Sequence, residues 1–361
     1  MDYNQDSTYN LYRDIQLRTK GEIYLGVVGP VRTGKSTFIK RFMELLVLPA
    51  MEDQVMGIVV FGAVFVDIKG YPLKNFLPAG RNAGRIEQVH GGVSRNIVED
   101  IANVELNPTY VSVVDEGGTG DDVIRKLKEH HVDTRYMRQV PDGMGTWLAV
   151  FDEKGDVYAS ISKRPDLSVL AEVLDEHGDE IISSCDSIAL EIDMEKDLVS
   201  RIFKLARKYD KKVYAVVSNM SIAVKRRDLL KHVDCFVCNL EEAGLFFSEE
   251  FDHVPQEEMA DWLAERIEAS GIRRMVVTMG SRGAVYAETG GERGICPSMK
   301  VIVKDVAGCG DAFFAGVTIG LTYGKTLAQA CEIGTRLAAS VIVTSENVCP
   351  RFMPSEFGIE L

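Results

Sequence analysis

From residue 57 onward the chain alternates short apolar, β-branched runs with helical stretches, and this alternation restricts its fold more than any other feature. Strands are expected over Gly57–Val66, Val111–Val114, Trp147–Phe151, Ser187–Glu191, Lys212–Val217, Cys235–Val237, Arg274–Thr278 and Ala284–Ala287. Helices are expected between many of them, as at Lys196–Tyr209, Met259–Ser270 and Ala312–Tyr323. Repeated strand–helix units predict an α/β domain, in which helices cover both faces of a mostly parallel sheet. Arg135–Ser162 has a different pattern: short alternating strands with turn signals at Asp142-Gly143 and Lys154-Gly155. That stretch is expected to form a small β lid projecting from the main domain.

A second division runs near Met51–Gln54. Residues 1–53 carry seven Lys/Arg and seven Asp/Glu, so the net charge of -13 belongs entirely to 54–361. Two domains are therefore expected: a short 1–53 appendage and a 54–361 main domain. A strongly acidic main domain repels polyanions and anionic membrane surfaces, so neither nucleic acid nor membrane is an expected partner. The longest apolar run, Gly57–Val66, falls short of the ~20 residues that cross a bilayer. The polar N-terminus has no secretory pattern. Seven scattered cysteines, an odd number, fit a reduced cytoplasmic setting better than a disulfide framework. Cys235 and Cys238 sit in an apolar strand with no second ligand pair, and are read as buried thiols rather than zinc ligands.

The most chemically loaded segment is Asp305-Val306-Ala307-Gly308-Cys309-Gly310-Asp311, followed by an Ala/Phe/Gly-rich helix. Gly308 and Gly310 let the backbone turn tightly enough for successive amides to face one anion. The partial positive charge at the helix start favours phosphate oxygens. Asp311, beside that anion hole, is placed to take a proton from a hydroxyl attacking phosphorus. Taken alone, the same residues would also make an ordinary helix cap and turn.

This segment resembles the signature of the PfkB/ribokinase family of carbohydrate kinases, with departures at Val306 and Cys309, whose side chains a backbone anion hole does not need. Other landmarks follow the family order over about 56–350. His90-Gly91-Gly92-Val93-Ser94-Arg95-Asn96-Ile97 resembles the N-terminal Gly-Gly signature, which implies sugar contact at Gly91, Gly92 and Asn96. Asp67, expected at the end of the first central strand, matches an Asp that binds sugar hydroxyls. Asn239-Leu240-Glu241-Glu242 resembles the family's Asn-x-x-Glu, which implies Asn239 near ATP and Glu242 near Mg²⁺; its ordinary alternative is a helix cap. Thr278-Met279-Gly280-Ser281-Arg282-Gly283 resembles a nucleotide-contacting turn and implicates Thr278, Gly280 and Gly283. The resemblance further implies ATP and Mg²⁺ as cofactors, with K⁺ as a monovalent ion held by carbonyls near Asp305. The expected partner is a sugar or nucleoside acceptor, and pseudouridine and nucleoside kinase-like members are the nearest in pattern. A homodimer is compatible with this reading.

Gly29-Pro30-Val31-Arg32-Thr33-Gly34-Lys35-Ser36 is a complete Walker A pattern between a strand and a helix. About residues 13–50 resemble the P-loop start of the stage IV sporulation protein A family. Gly34, Lys35 and Ser36 thus form a second phosphate-site candidate, and an assembly ATPase of spore-coat type is the alternative function. The pattern stops after one β-α unit, without a Walker B strand, and ~50 residues bury too little surface to fold alone. Residues 1–53 are therefore read as a truncated P-loop segment fused to a kinase.

Overall fold

The structure, a computed structural model, describes residues 57–153, 157–251 and 254–360. The predicted 1–53 appendage with Gly34, Lys35 and Ser36, and the turn expected at Lys154-Gly155, lie outside the described residues.

The strands are β1 (Ile58–Phe61), β2 (Phe65–Pro72), β3 (Gly84–Gly91), β4 (Thr109–Val111), β5 (Val113–Asp115), β6 (Arg138–Val140), β7 (Gly145–Phe151), β8 (Val157–Lys163), β9 (Ser187–Glu191), β10 (Lys212–Val216), β11 (Cys235–Asn239), β12 (Arg274–Thr278), β13 (Ala284–Glu288) and β14 (Arg293–Cys296). The longer helices are α1 (Val93–Asn103), α2 (Gly118–Glu129), α3 (Leu170–Ser184), α4 (Lys196–Lys208), α5 (Leu240–Phe247), α6 (Met259–Ser270), α7 (Cys309–Thr322) and α8 (Leu327–Ile342). Among the described residues, no helix is long and apolar enough to cross a membrane.

The central sheet has eight strands in the order β14-β13-β12-β11-β10-β9-β1-β4. The six strands from β4 to β12 are parallel, and β13 and β14 close one edge antiparallel. Successive side chains on each central strand enter opposite layers. Val59 and Phe61 join the core under α3, α4 and α6. Ile58 and Val60 join the core under α1, α7 and α8. Burial on both faces is why these strands read as unbroken apolar runs. Cys235 and Cys238 are free buried thiols of β11.

Two expected strands are each split between sheets. Gly57–Val66 was expected as one strand, but the chain leaves the central sheet at Gly62. There a Cβ would stand 2.4 Å from Ser94 Oγ and 2.6 Å from Glu191 Oε1, and the carbonyl accepts from Ser112 Oγ at 2.7 Å. Beyond it, β2 belongs to a four-stranded lid, β3-β2-β7-β8. Asp67 therefore sits within a lid strand, not at the end of a central one. Similarly, Val111–Val114 divides into β4, in the central sheet, and β5, which pairs with β6. The expected lid segment supplies β7 and β8, while the other half comes from the β2–β3 hairpin.

All six parallel strands end on the same side of the sheet. In an open α/β sheet that edge is where ligands settle.

Candidate active site

The Gly308–Asp311 segment forms the N-terminal turn of α7, which begins at Cys309 and so places Asp311 inside its first turn. Gly308 is left-handed, with φ +76°, and a Cβ there would stand 1.9 Å from Asn347 O, so no side chain fits. Around Gly310 the space a Cβ would take is open. No side chain caps this helix; Cys309 N makes a long bond to the Val306 carbonyl at 3.4 Å, and the first-turn amides after it point toward another acceptor. Residues Ala312–Gly320 are buried, with Gly316 lying against Gly334 of α8, which fixes the direction of the helix dipole.

Asn96, on α1 and 6% exposed, donates from Nδ2 to Asp311 Oδ2 at 2.7 Å. Burial lifts the Asp311 carboxyl to about 7, with the charges of Glu242 and Asp67 pushing the same way. The Asn96 bond and the Arg95 guanidinium pull it down. Asp67 lies on the other side of the Gly-Gly turn. Its Oδ2 would be 2.5 Å from a Cβ on Gly91, so only glycine lets the carboxylate approach that backbone. Burial also raises Asp67, against the pull of Lys69 and Arg95. Gly92 caps α1 with φ +106°. Asp67, Gly92, Asn96, Gly308 and Asp311 line one cavity of about 380 Å³. Thus the two most widely separated sequence landmarks converge.

The predicted nucleotide-side residues sit further along the same sheet edge. Asn239 and Thr278 are register partners at the ends of β11 and β12. Asn239 Oδ1 accepts from Glu242 N, and Glu242 Oε2 accepts from Asn239 N, both at 2.8 Å. The ordinary capping reading of this pair is therefore realised, which leaves the second Glu242 oxygen for another partner. Burial raises the Glu242 carboxyl. Gly280 and Gly283 belong to the single 3₁₀ turn that links β12 to β13. None of these five lines the cavity that holds Asp311. Among the described residues, no group of three or more His, Cys, Asp or Glu side chains is placed to hold a metal. A hydrated Mg²⁺ carried on phosphate oxygens and touching one carboxylate through water fits this arrangement.

Several cavity residues were not anticipated. Arg164 follows the last lid strand and donates to Asp193 Oδ2 at 2.8 Å. Asp193, fully buried, also accepts from Ser218 N and Oγ, which aims the guanidinium at the cavity. Its signal in the sequence was a second acid just beyond an apolar strand, Glu191-Ile192-Asp193. Phe65 and Trp147 give the cavity aromatic surface. They come from β2 and β7, whose pairing no local pattern shows.

Residues 56–354 match the pfkB family of carbohydrate kinases. The chain belongs to that family. Guanosine-inosine kinase of Exiguobacterium acetylicum is 33% identical to this PfkB-family kinase over 295 residues, 80% of this chain and 95% of the relative. Pseudouridine kinase of Escherichia coli K12 is 25% identical over 287 residues, 76% and 88% of the two chains. The ribokinase of Arabidopsis thaliana, solved with ribose and ATP, superposes with a TM-score of 0.72 at 17% identity, covering 84% of this chain and 99% of that one. The fold is ribokinase-like, and the protein is a sugar or nucleoside kinase of the PfkB family. Residues 6–58 match the ATPase domain of stage IV sporulation protein A.

Proposed function

We propose that the protein transfers the γ-phosphoryl of ATP to a ribosyl hydroxyl of a nucleoside, with Asp311 as the base. One observation carries this reading: Asp311, held at 2.7 Å by Asn96, shares its cavity with Asp67 and with the uncapped start of α7. In this scheme Asp67 and Asn96 hold the acceptor. Asp311 takes the hydroxyl proton as the new O–P bond forms and the bond to the β–γ bridging oxygen breaks, releasing ADP. The amides of Gly308, Cys309 and Gly310 stabilise the equatorial oxygens, and Arg164 offsets their charge. Mg²⁺ near Glu242 would screen the phosphate charge. Two aromatic rings beside the acceptor carboxylate suit a nucleobase better than a bare sugar, and two of the relatives are named as nucleoside kinases. ATP dependence agrees with a cytoplasmic setting.

The boundary near residue 53 belongs to the same proposal: 54–361 is the working kinase and 1–53 a truncated P-loop segment. The test is a screen of ATP consumption with guanosine, inosine, pseudouridine and ribose. A burst with one nucleoside and little with ribose is expected. Asp311→Asn should abolish turnover while ATP still binds. Equal turnover of ribose would remove the nucleoside assignment, and an active Asn variant would remove the base.

A further inference from the structure

The Asn96 amide that meets Asp311 is itself held by a second asparagine, 251 residues away. We infer that Asn347 is a positioning residue, whose side-chain amide locks Asn96 in the orientation that donates to Asp311. This rests on Asp311 acting as the base. Asn347 Nδ2 donates to Asn96 Oδ1 and to the His90 carbonyl, each at 3.2 Å. Arg95 Nη1 donates to the same two acceptors, at 2.9 Å and 3.2 Å, while its Nη2 is tied to Glu99. Two donors and two acceptors thus form a closed set. With Oδ1 of Asn96 occupied from both sides, a flipped amide would set its own N–H groups against two donors. The only orientation left directs Nδ2 at Asp311.

The same residue reaches the other side of the site. Its carbonyl lies against Gly308, the residue that opens the anion hole. Its position is set by α1. Cys349 N donates to the buried Asp100 Oδ1 at 2.6 Å, and Asn103 Nδ2 donates to Cys349 O at 2.7 Å. Asn347 therefore joins the acceptor turn at His90–Gly92, the Asn96–Asp311 pair and the phosphoryl loop in one rigid unit.

The experiment compares kcat–pH profiles of Asn347→Ala and Asn347→Asp with wild type, together with thermal melts and an Asp311→Asn control. The charged and titratable groups facing Asp311 are Arg95 and Asp100 on α1, Asp67 and Lys69 on β2, Glu242 on α5, Arg164 after β8, and Cys309 on its own helix. All are unchanged in both variants. Asn347→Ala leaves Arg95 alone on the two acceptors and should lower kcat about fivefold to tenfold. Asn347→Asp keeps the size but cannot donate, and should lower kcat about a hundredfold at neutral pH. In Asn347→Ala the acid limb of kcat should move to higher pH, because a loosened Asn96 favours the Asp311 carboxylate less; in Asn347→Asp the added carboxylate pushes the limb the same way, so the Ala variant is the one that decides. The KM for ATP should stay within about twofold. A lowered melting point with an unmoved acid limb and near-normal kcat in Asn347→Ala would reduce Asn347 to packing and overturn the inference. If those variants behave so while Asp311→Asn is dead, this inference fails alone. If Asp311→Asn keeps its rate, the base assignment fails and takes the inference with it.

Discussion

If burial holds the Asp311 carboxyl near 7, the site costs the fold stability, and replacing the acid should recover it. The perturbation is Asp311→Asn, a neutral side chain of the same shape that can still offer an oxygen to Asn96 Nδ2. The carboxyl is lifted from an ordinary 3.8 to about 7. That is about three units, at about 1.36 kcal/mol each. The full cost would be about 4 kcal/mol, and solvent in the open cavity screens part of it, leaving about 2–4 kcal/mol. The sign follows from proton binding. Between pH 4 and 7 the folded state holds a proton that the unfolded chain releases, so wild type loses stability as pH rises through that window. Below pH 4 both states are protonated and no penalty exists. Urea unfolding, followed by the fluorescence of Trp262 packed against Phe247 and Phe251, measures it. The variant should match wild type to about 1 kcal/mol at pH 4.5 and exceed it by about 2–4 kcal/mol at pH 8. A difference that stays constant with pH would show that folding does not shift this carboxyl, and a wild type more stable than the variant at pH 8 would show that the site stabilises the charge; either refutes the reasoning. With Asp311 as the proposed base, such a site would trade stability for a group poised near neutrality.

Three further outcomes are expected. Asn96→Ala removes the 2.7 Å bond that favours the Asp311 carboxylate, so the acid limb of kcat should rise by about one to two units; a limb that stays in place refutes the assignment of the titrating group. Gly308→Ala forces a side chain into the Asn347 carbonyl at φ +76°, and should cost about 2 kcal/mol or more in melting experiments and at least a hundredfold in kcat; a stable, active variant would mean the loop has another geometry in solution. Lys35→Ala should leave acceptor-dependent ATP consumption within twofold of wild type, and a tenfold loss would bring the Walker A segment into the reaction.

The fold class was legible because burial on both faces writes itself into single strands, as at Ile58–Phe61 and Cys235–Cys238. The turn into α7 was legible because Gly308, Gly310 and Asp311 are neighbours in the chain, where backbone conformation and helix dipole act over a few residues. What was missed is non-local. Gly62 looked like part of a strand. Only the approach of Ser94 and Glu191 makes it the point where the chain leaves the sheet. Asp67 carried the expected residue type, but its place in the lid depends on β2 pairing with β3 and β7.

The parallel sheet, the glycine turn into α7 and the acid in its first turn all follow from residues in local succession, and so were readable along the chain. Which groups meet that acid depends on how distant elements pack. Asn96 lies 215 residues from Asp311 and Asn347 lies 251 from Asn96. Arg164 is aimed by Asp193 from another strand end. Contacts between side chains so far apart leave no period or spacing in the chain, because the packing of separate elements brings them together.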